Sequence, residues 1–279
     1  LLLALAVGVA SAPGTAGCGP AAEAPARPIV AVSVVPYAWL VERVAGNLVE
    51  CVVMIPPGAS PATHEPTLAE RRALERAALY VKVGHSHFPF ERAWLDRLLE
   101  ERPDLPVVDG SPGPERIEDD PHVWVSPARM AETARAVADA LVARLPEHAE
   151  ALRVGESAVL AEIAATEERV RVTLAPARGR TFVVLHPAWG HLAREYGLVQ
   201  LAIQHGNREP DARRLSEVIE RSRALGVEVI FGQPHFDPAG ARVVAEAIGA
   251  RVEILDPLAR DWPANLTHVA ERLAAEARG

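Results

Sequence analysis

Lysine is nearly absent from this chain: among 29 basic residues, Lys82 is the one lysine and the others are arginine. That skew reads as base-composition bias in the coding sequence and carries no function. Long apolar runs are also missing. None reaches the roughly 18 residues a membrane-spanning helix needs, which excludes a polytopic membrane protein. Basic surface is scarce, with 37 acidic residues and a net charge of -8, so no nucleic-acid partner is expected. Cysteine is limited to Cys18 and Cys51, too little for a disulfide-stapled fold. Cys51 sits in an alternating apolar stretch and reads as a buried, inert thiol. What is present is a globular balance, 49% hydrophobic and 24% charged over 279 residues. One large or two medium domains follow from that length.

Residues 1–22 carry no charge, and the first dozen are almost continuously small or aliphatic. That run suits the apolar core of a secretory signal. It begins without Met or a basic segment, so the true start is expected upstream. Thr15-Ala16-Gly17-Cys18 then resembles a bacterial lipobox, with Thr15 where Leu is usual. The expectation is a signal over 1–17, lipidation at Cys18 and a Pro/Ala tether over 18–28. The plainer alternative is an unlipidated signal cleaved near Ala12 or Ala16, which would leave a soluble periplasmic protein.

Beyond the tether, short β-branched runs alternate with amphipathic helical stretches. Strands are predicted over 29–34, 49–55, 79–83, 106–108, 181–186, 199–203, 227–231 and 251–255. Helices are predicted over 37–45, 68–77, 127–144, 189–196, 211–224, 238–248 and 262–277. Strands separated by helices mean βα units and parallel sheets. Four strands precede and four follow a helical region over 146–175 in which Gly155 is the single glycine. The predicted fold class is therefore α/β: two lobes, each with a four-stranded parallel sheet, bridged by one long helix. The expected boundaries are 29–145 for the N-terminal lobe, 146–178 for the bridging helix and 179–279 for the C-terminal lobe.

In parallel sheets, chemistry collects where loops leave the carboxyl ends of strands. Those exits are rich in histidine. Strand two leads to Ser60-Pro61-Ala62-Thr63-His64, strand three to Gly84-His85-Ser86-His87, and strand four through an acidic turn to Asp120-Pro121-His122. Strand five ends on His186, strand seven gives Gly232-Gln233-Pro234-His235, and strand eight ends in Leu255-Asp256-Pro257. Neutral imidazoles and a carboxylate meeting from several strand ends suit a borderline cation such as Zn²⁺. His148 and His268 lie mid-helix among charges and read as solvated. His191 reads as a rim or packing residue, and His205 stays unassigned.

Several ordered segments then resemble the zinc/manganese solute-binding lipoproteins of bacterial ABC importers, across 29–276. They are Met54-Ile55-Pro56-Pro57-Gly58-Ala59-Ser60-Pro61, Glu65-Pro66-Thr67, Asp120-Pro121-His122-Val123-Trp124, Leu185-His186-Pro187-Ala188-Trp189-Gly190, Phe231-Gly232-Gln233-Pro234 and Leu255-Asp256-Pro257-Leu258. The resemblance implies His122, His186 and Asp256 as metal ligands. Its first ligand histidine, directly after the loop proline, is here Ala62. His64, two residues on, would return to the same face of an extended loop and is the preferred replacement, with His85 and His87 as competitors.

Three imidazoles and a carboxylate favour Zn²⁺ over Mn²⁺ as the transported ligand. His186 stands where manganese-specific relatives often carry Glu. The His-rich loop of many zinc-specific members is absent, replaced by a short acidic turn. The implied function is capture of the divalent metal ion in the cleft and delivery to a membrane permease, by a monomer without enzymatic turnover. Its affinity is expected to fall as pH approaches the ordinary histidine pKa of about 6.5. Two rivals are weighed. One is a zinc-dependent hydrolase, which His85-Ser86-His87 superficially suggests but which lacks a following Asp-His pair. The other keeps the fold with a drifted cleft for another small ligand, or acts as an adhesin.

Overall fold

The strands are short and largely apolar because a strand in a parallel sheet is covered on both faces. In the computed structural model, β1 (Ile29–Val32) and β5 (Thr181–Val184) are buried at every position. The structure describes residues 27–111, 120–206 and 208–278. The expected signal, the Cys18 anchor and most of the acidic turn lie outside them. Beside β1 stand β2 (Glu50–Val53), β3 (Ala77–Lys82) and β4 (Val107–Asp109), in the order β2-β1-β3-β4. Beside β5 stand β6 (Val199–Ala202), β7 (Val229–Gly232) and β8 (Arg251–Ile254), in the order β6-β5-β7-β8. Every pairing is parallel, with Ile29 opposite Glu50 and Thr181 opposite Val199. The two sheets repeat one strand order although no repeat is visible in the sequence. Each order reverses between its first and third strands, which opens a crevice at the carboxyl edge.

Helices form where apolar residues recur on one face and a cap closes the first turn. They are α1 (Val35–Ala45), α2 (Leu68–Glu75), α3 (Asp96–Glu100), α4 (Pro127–Arg144), α5 (Ala149–Leu174), α6 (Gly190–Tyr196), α7 (Ala212–Ala224), α8 (Ala239–Ile248) and α9 (Trp262–Glu276). Thr67 and Glu70 make a reciprocal capping box at α2, while Ser126, Asp211 and Asp261 cap α4, α7 and α9. These side chains satisfy amide groups that a helix start leaves without partners. The sequence prediction omits the helical stretch of the first lobe in which a wide π-turn over Glu91–Leu95 runs into α3.

The bridging helix α5 has 26 residues, about 39 Å at 1.5 Å per residue. Its buried face is Leu152, Val159, Ile163, Thr166, Val170 and Leu174. These residues pack against α1, α4 and α9. The sequence reading assigns α9 to the second lobe, yet its buried Leu266, Val269, Ala270 and Leu273 belong to the same hydrophobic cluster as α1 and α5. Trp262 stacks on Trp39 with ring centres 5.3 Å apart. This larger cluster runs through both lobes, including Val32 and Val81 of the first and Phe182 and Phe231 of the second. A smaller cluster, around Val183, Ile230 and Val244, is confined to the second lobe.

Candidate metal centre

His122 follows the acidic turn and precedes a short 3₁₀ turn, Val123–Val125. It is 9% exposed, and its Nδ1–H donates to Asp120 Oδ1 at 2.7 Å. The same carboxylate oxygen accepts from the His122 amide at 3.0 Å. Burial acts to raise the Asp120 carboxyl, but the His122 imidazole and nearby His191 outweigh it and hold Asp120 below its ordinary range. The Asp120 main-chain carbonyl accepts from His191 Nε2 at 3.0 Å, so the packing role expected for His191 is a link between lobes. Gly190 permits this approach: a Cβ there would lie 2.3 Å from Asp120 Oδ2.

His186 leaves β5 two residues after its last ladder position and is 5% exposed. Its Nδ1 donates to the Gly206 carbonyl at 3.0 Å, and Phe236 stacks on its ring at 4.3 Å. Gln233 Nε2 donates to the His186 carbonyl at 3.2 Å. Burial, with the His122 imidazole beside it, pushes the His186 pKa down to about 3. Its lone pair therefore stays available far below the pH at which an ordinary histidine protonates.

The rings of His122 and His186 lie 5.2 Å apart, inclined at 77°. Two imidazoles on one tetrahedral ion with Zn–N near 2.1 Å hold their ring centres about 5 Å apart. Both rings have Nδ1 committed to an oxygen, which leaves the lone pair on Nε2. An imidazole held this way is the arrangement that orients and strengthens a metal ligand. Both line a cavity of about 650 Å³ between the lobes, whose wall also includes Ala62, His87, His205 and His235.

His64 is not on that wall. The extended geometry assumed for its loop is replaced by a turn, in which the Thr63 and His64 amides both donate to the Ser60 carbonyl at 3.1 and 2.9 Å. The two-residue parity is lost. Ala62 faces the cavity, while His64 stacks near Phe90 and bonds Glu70 at 3.2 Å. Among its competitors His85 is buried with Nδ1 accepting from the His87 amide at 3.2 Å, and His87 reaches the cavity. Asp256 does not line it either. Its Oδ1 accepts from the Leu258 amide at 2.8 Å and from His235 Nε2 at 3.2 Å. Among the described residues no three His, Cys, Asp or Glu side chains yet converge closely enough to hold an ion.

His148 and His268 are exposed. Cys51, expected to be buried, is half-buried, and burial pushes its thiol up to about 12, away from the thiolate form. Among the described residues no helix is long and apolar enough to cross a membrane.

Both lobes meet across the cavity floor, where Trp124 Nε1 donates to the Pro257 carbonyl at 2.7 Å and Trp262 Nε1 to the Trp124 carbonyl at 2.8 Å. That frame recurs in proteins of known structure. A crystal structure of ZnuA superposes with a TM-score of 0.83 at 32% identity, over 90% of this chain and 99% of that one. A zinc-bound ZnuA deletion mutant gives 0.83 at 31% identity, over 91% and 99%. The high-affinity zinc uptake system protein ZnuA of Yersinia pestis is 25% identical over 82% of each chain. A family model, ZnuA, described as zinc-uptake complex component A, periplasmic, matches residues 30–276. Since that span runs from β1 to the end of α9 and takes in His122, His186 and Asp256, the chain belongs to the ZnuA family.

Proposed function

We propose that this chain captures Zn²⁺ in the cleft between its lobes, outside the cytoplasm, and delivers it to the membrane permease of an ABC importer. The observation that carries the reading is the pair His122 and His186, one from each lobe, at the spacing of two imidazoles on one ion. The negative charge such a site needs comes from Asp120 behind His122 and from Asp256 at the exit of β8. Imidazole-rich donors favour Zn²⁺, whereas Mn²⁺ prefers more oxygen. The zinc-bound ZnuA structure and the Yersinia pestis zinc uptake protein support the same cargo. Capture and delivery make and break no covalent bond, so no residue is assigned a catalytic role. The Thr15-Ala16-Gly17-Cys18 segment supports a lipid anchor at Cys18, which would keep the carrier at the membrane face.

Zinc titration against a competing chelator tests this. The wild type should bind one ion per chain, and His122→Ala and His186→Ala should each weaken binding by more than about 100-fold, beyond the usual effect of an outer partner. Wild-type binding no tighter than about micromolar would overturn the reading.

A further inference from the structure

The two paired histidines are carried by turns that are each tied internally. On the first-lobe side, Asp120 Oδ1 accepts from the His122 ring and amide, and the Val123 amide donates to the Pro121 carbonyl at 2.8 Å. On the second-lobe side, Pro187 follows His186, and the Ala188 amide donates back to the His186 carbonyl at 2.9 Å. The Trp189 amide is held by Gln200 Oε1 at 2.8 Å, and Trp189, 1% exposed, leads directly into α6. With both turns fixed within themselves, the distance between the two rings depends on what joins one turn to the other.

Helix α6 makes that join, at two points that bracket His122. His191 and Glu195 are four residues apart and so share one face of the helix. His191 is buried and donates from Nε2 to the Asp120 carbonyl at 3.0 Å. Glu195 stands at the solvent edge and accepts from the Ser126 hydroxyl at 2.6 Å. Asp120 lies two residues before His122, and Ser126 four residues after it. One face of α6 therefore grips both ends of the turn that presents His122, while the turn entering α6 presents His186. The joint at Asp120 is the stronger, because it is shielded from water and its loss would leave a buried residue's carbonyl short of a donor.

Resting on the proposed cargo, we propose that His191 and Glu195 are positioning residues for zinc binding: through Asp120 and Ser126 they set the spacing of the His122 and His186 rings before the ion arrives. Neither touches the metal. Their effect is to spare binding the cost of ordering two separate turns around one ion.

The test reads the full chain in two ways: the nuclear Overhauser effect between the His122 and His186 ring protons without metal, and zinc affinity by chelator competition. His191→Phe keeps a buried ring but removes the donor, and should lose the ring-to-ring signal and weaken zinc binding by about tenfold. His191→Gln supplies an amide N–H toward the same carbonyl and should recover both. Glu195→Ala leaves Ser126 capping α4 through the Arg129 amide and should weaken binding by about threefold. Val218→Ala lies in the smaller cluster of the second lobe, which α6 does not enter. It should lower stability yet leave both readings at the wild-type value. A wild-type signal and affinity in His191→Phe, or a Val218→Ala variant that weakens zinc binding as much, would overturn the proposal. Should His191→Phe not fold, Glu195→Ala decides, and wild-type affinity in that variant would overturn it equally. A wild type that shows the ring-to-ring signal but binds no zinc would instead overturn the proposed cargo.

Discussion

The two lobes share a strand order but use the exits of their strands in opposite ways. In the first lobe the β3 exit folds over a buried carboxylate. Glu91 accepts from the Val83 and Gly84 amides at 2.6 and 2.8 Å and from the Ser33 hydroxyl, which also pairs with Tyr80 at 2.8 Å. That inward network fastens the segment carrying His85 and His87 to β1 and β3. In the second lobe the exits of β5 and β7 put His186 and His235 on the cavity wall, with Asp256 of the β8 exit behind His235. A duplicated frame therefore fixes where a loop emerges, while local polar partners decide which way its side chains face.

The contrast holds only while one spine keeps the lobes together, and Gly155 is a point of close backbone approach along it. It lies on α5, where a Cβ would sit 2.1 Å from the Val44 carbonyl oxygen and 2.9 Å from its carbon. In an isolated helix, alanine would be better than glycine by about 1 kcal/mol. Here the obstacle is backbone, which does not rotate away, so the sign reverses. Gly155→Ala should lower unfolding free energy by about 3 kcal/mol in urea titration. A variant as stable as wild type would show that α1 and α5 have room to part.

Acid titration of the metal-free protein separates the lobes next, because their buried groups shift in opposite senses. His186 is pushed down to about 3 by burial and by His122. Its folded pKa lies below its unfolded one. Stability from this group is full above about pH 6.5 and is lost as pH falls toward 3, by about 2 kcal/mol at pH 5. Glu91 is raised, chiefly by burial, against the pull of Ser33 and the two amides. Its folded form takes up a proton before the unfolded chain does, so it gains stability as pH falls. His186→Ala should flatten the acid loss of stability and Glu91→Gln should steepen it, read from urea midpoints at several pH values. Parallel curves for wild type and His186→Ala would show that His186 is not held neutral.

Most of the frame was legible in the sequence because its signals are local. Buried apolar runs mark the inner strands β1, β3, β5 and β7, and Ser126, Asp211 and Asp261 announce helix starts. Gly155 was visible as the single glycine of the bridging segment, although its partner Val44 was not. The π-turn over Glu91–Leu95 was not legible, since its first residue is an acidic side chain buried against Ser33, which follows β1 far away in the sequence. The site was half legible. Strand-exit position singled out His64, His122 and His186; the structure sets the rings of the last two 5.2 Å apart and leaves His64 off the cavity wall. The same rule also reached His235, whose hydrogen bond to Asp256 of the next βα unit is a contact that no local pattern encodes.

The smallest expected effect bears on the first lobe's missing imidazole. His64 is committed to Glu70 and Phe90 through the turn at Ser60, so His64→Ala should leave zinc affinity within about twofold and cost about 1 kcal/mol of stability from the lost bond. Ala62 faces the cavity in its place. Ala62→His adds a donor on the wall that the first lobe leaves thin, and should tighten zinc binding by about tenfold, roughly 1.4 kcal/mol. Comparing the two variants by chelator competition separates position along the chain from direction of the side chain. If His64→Ala weakened binding as much as His122→Ala, the turn at Ser60 would have to open on loading, and the inward character of the first lobe would belong to the metal-free protein alone.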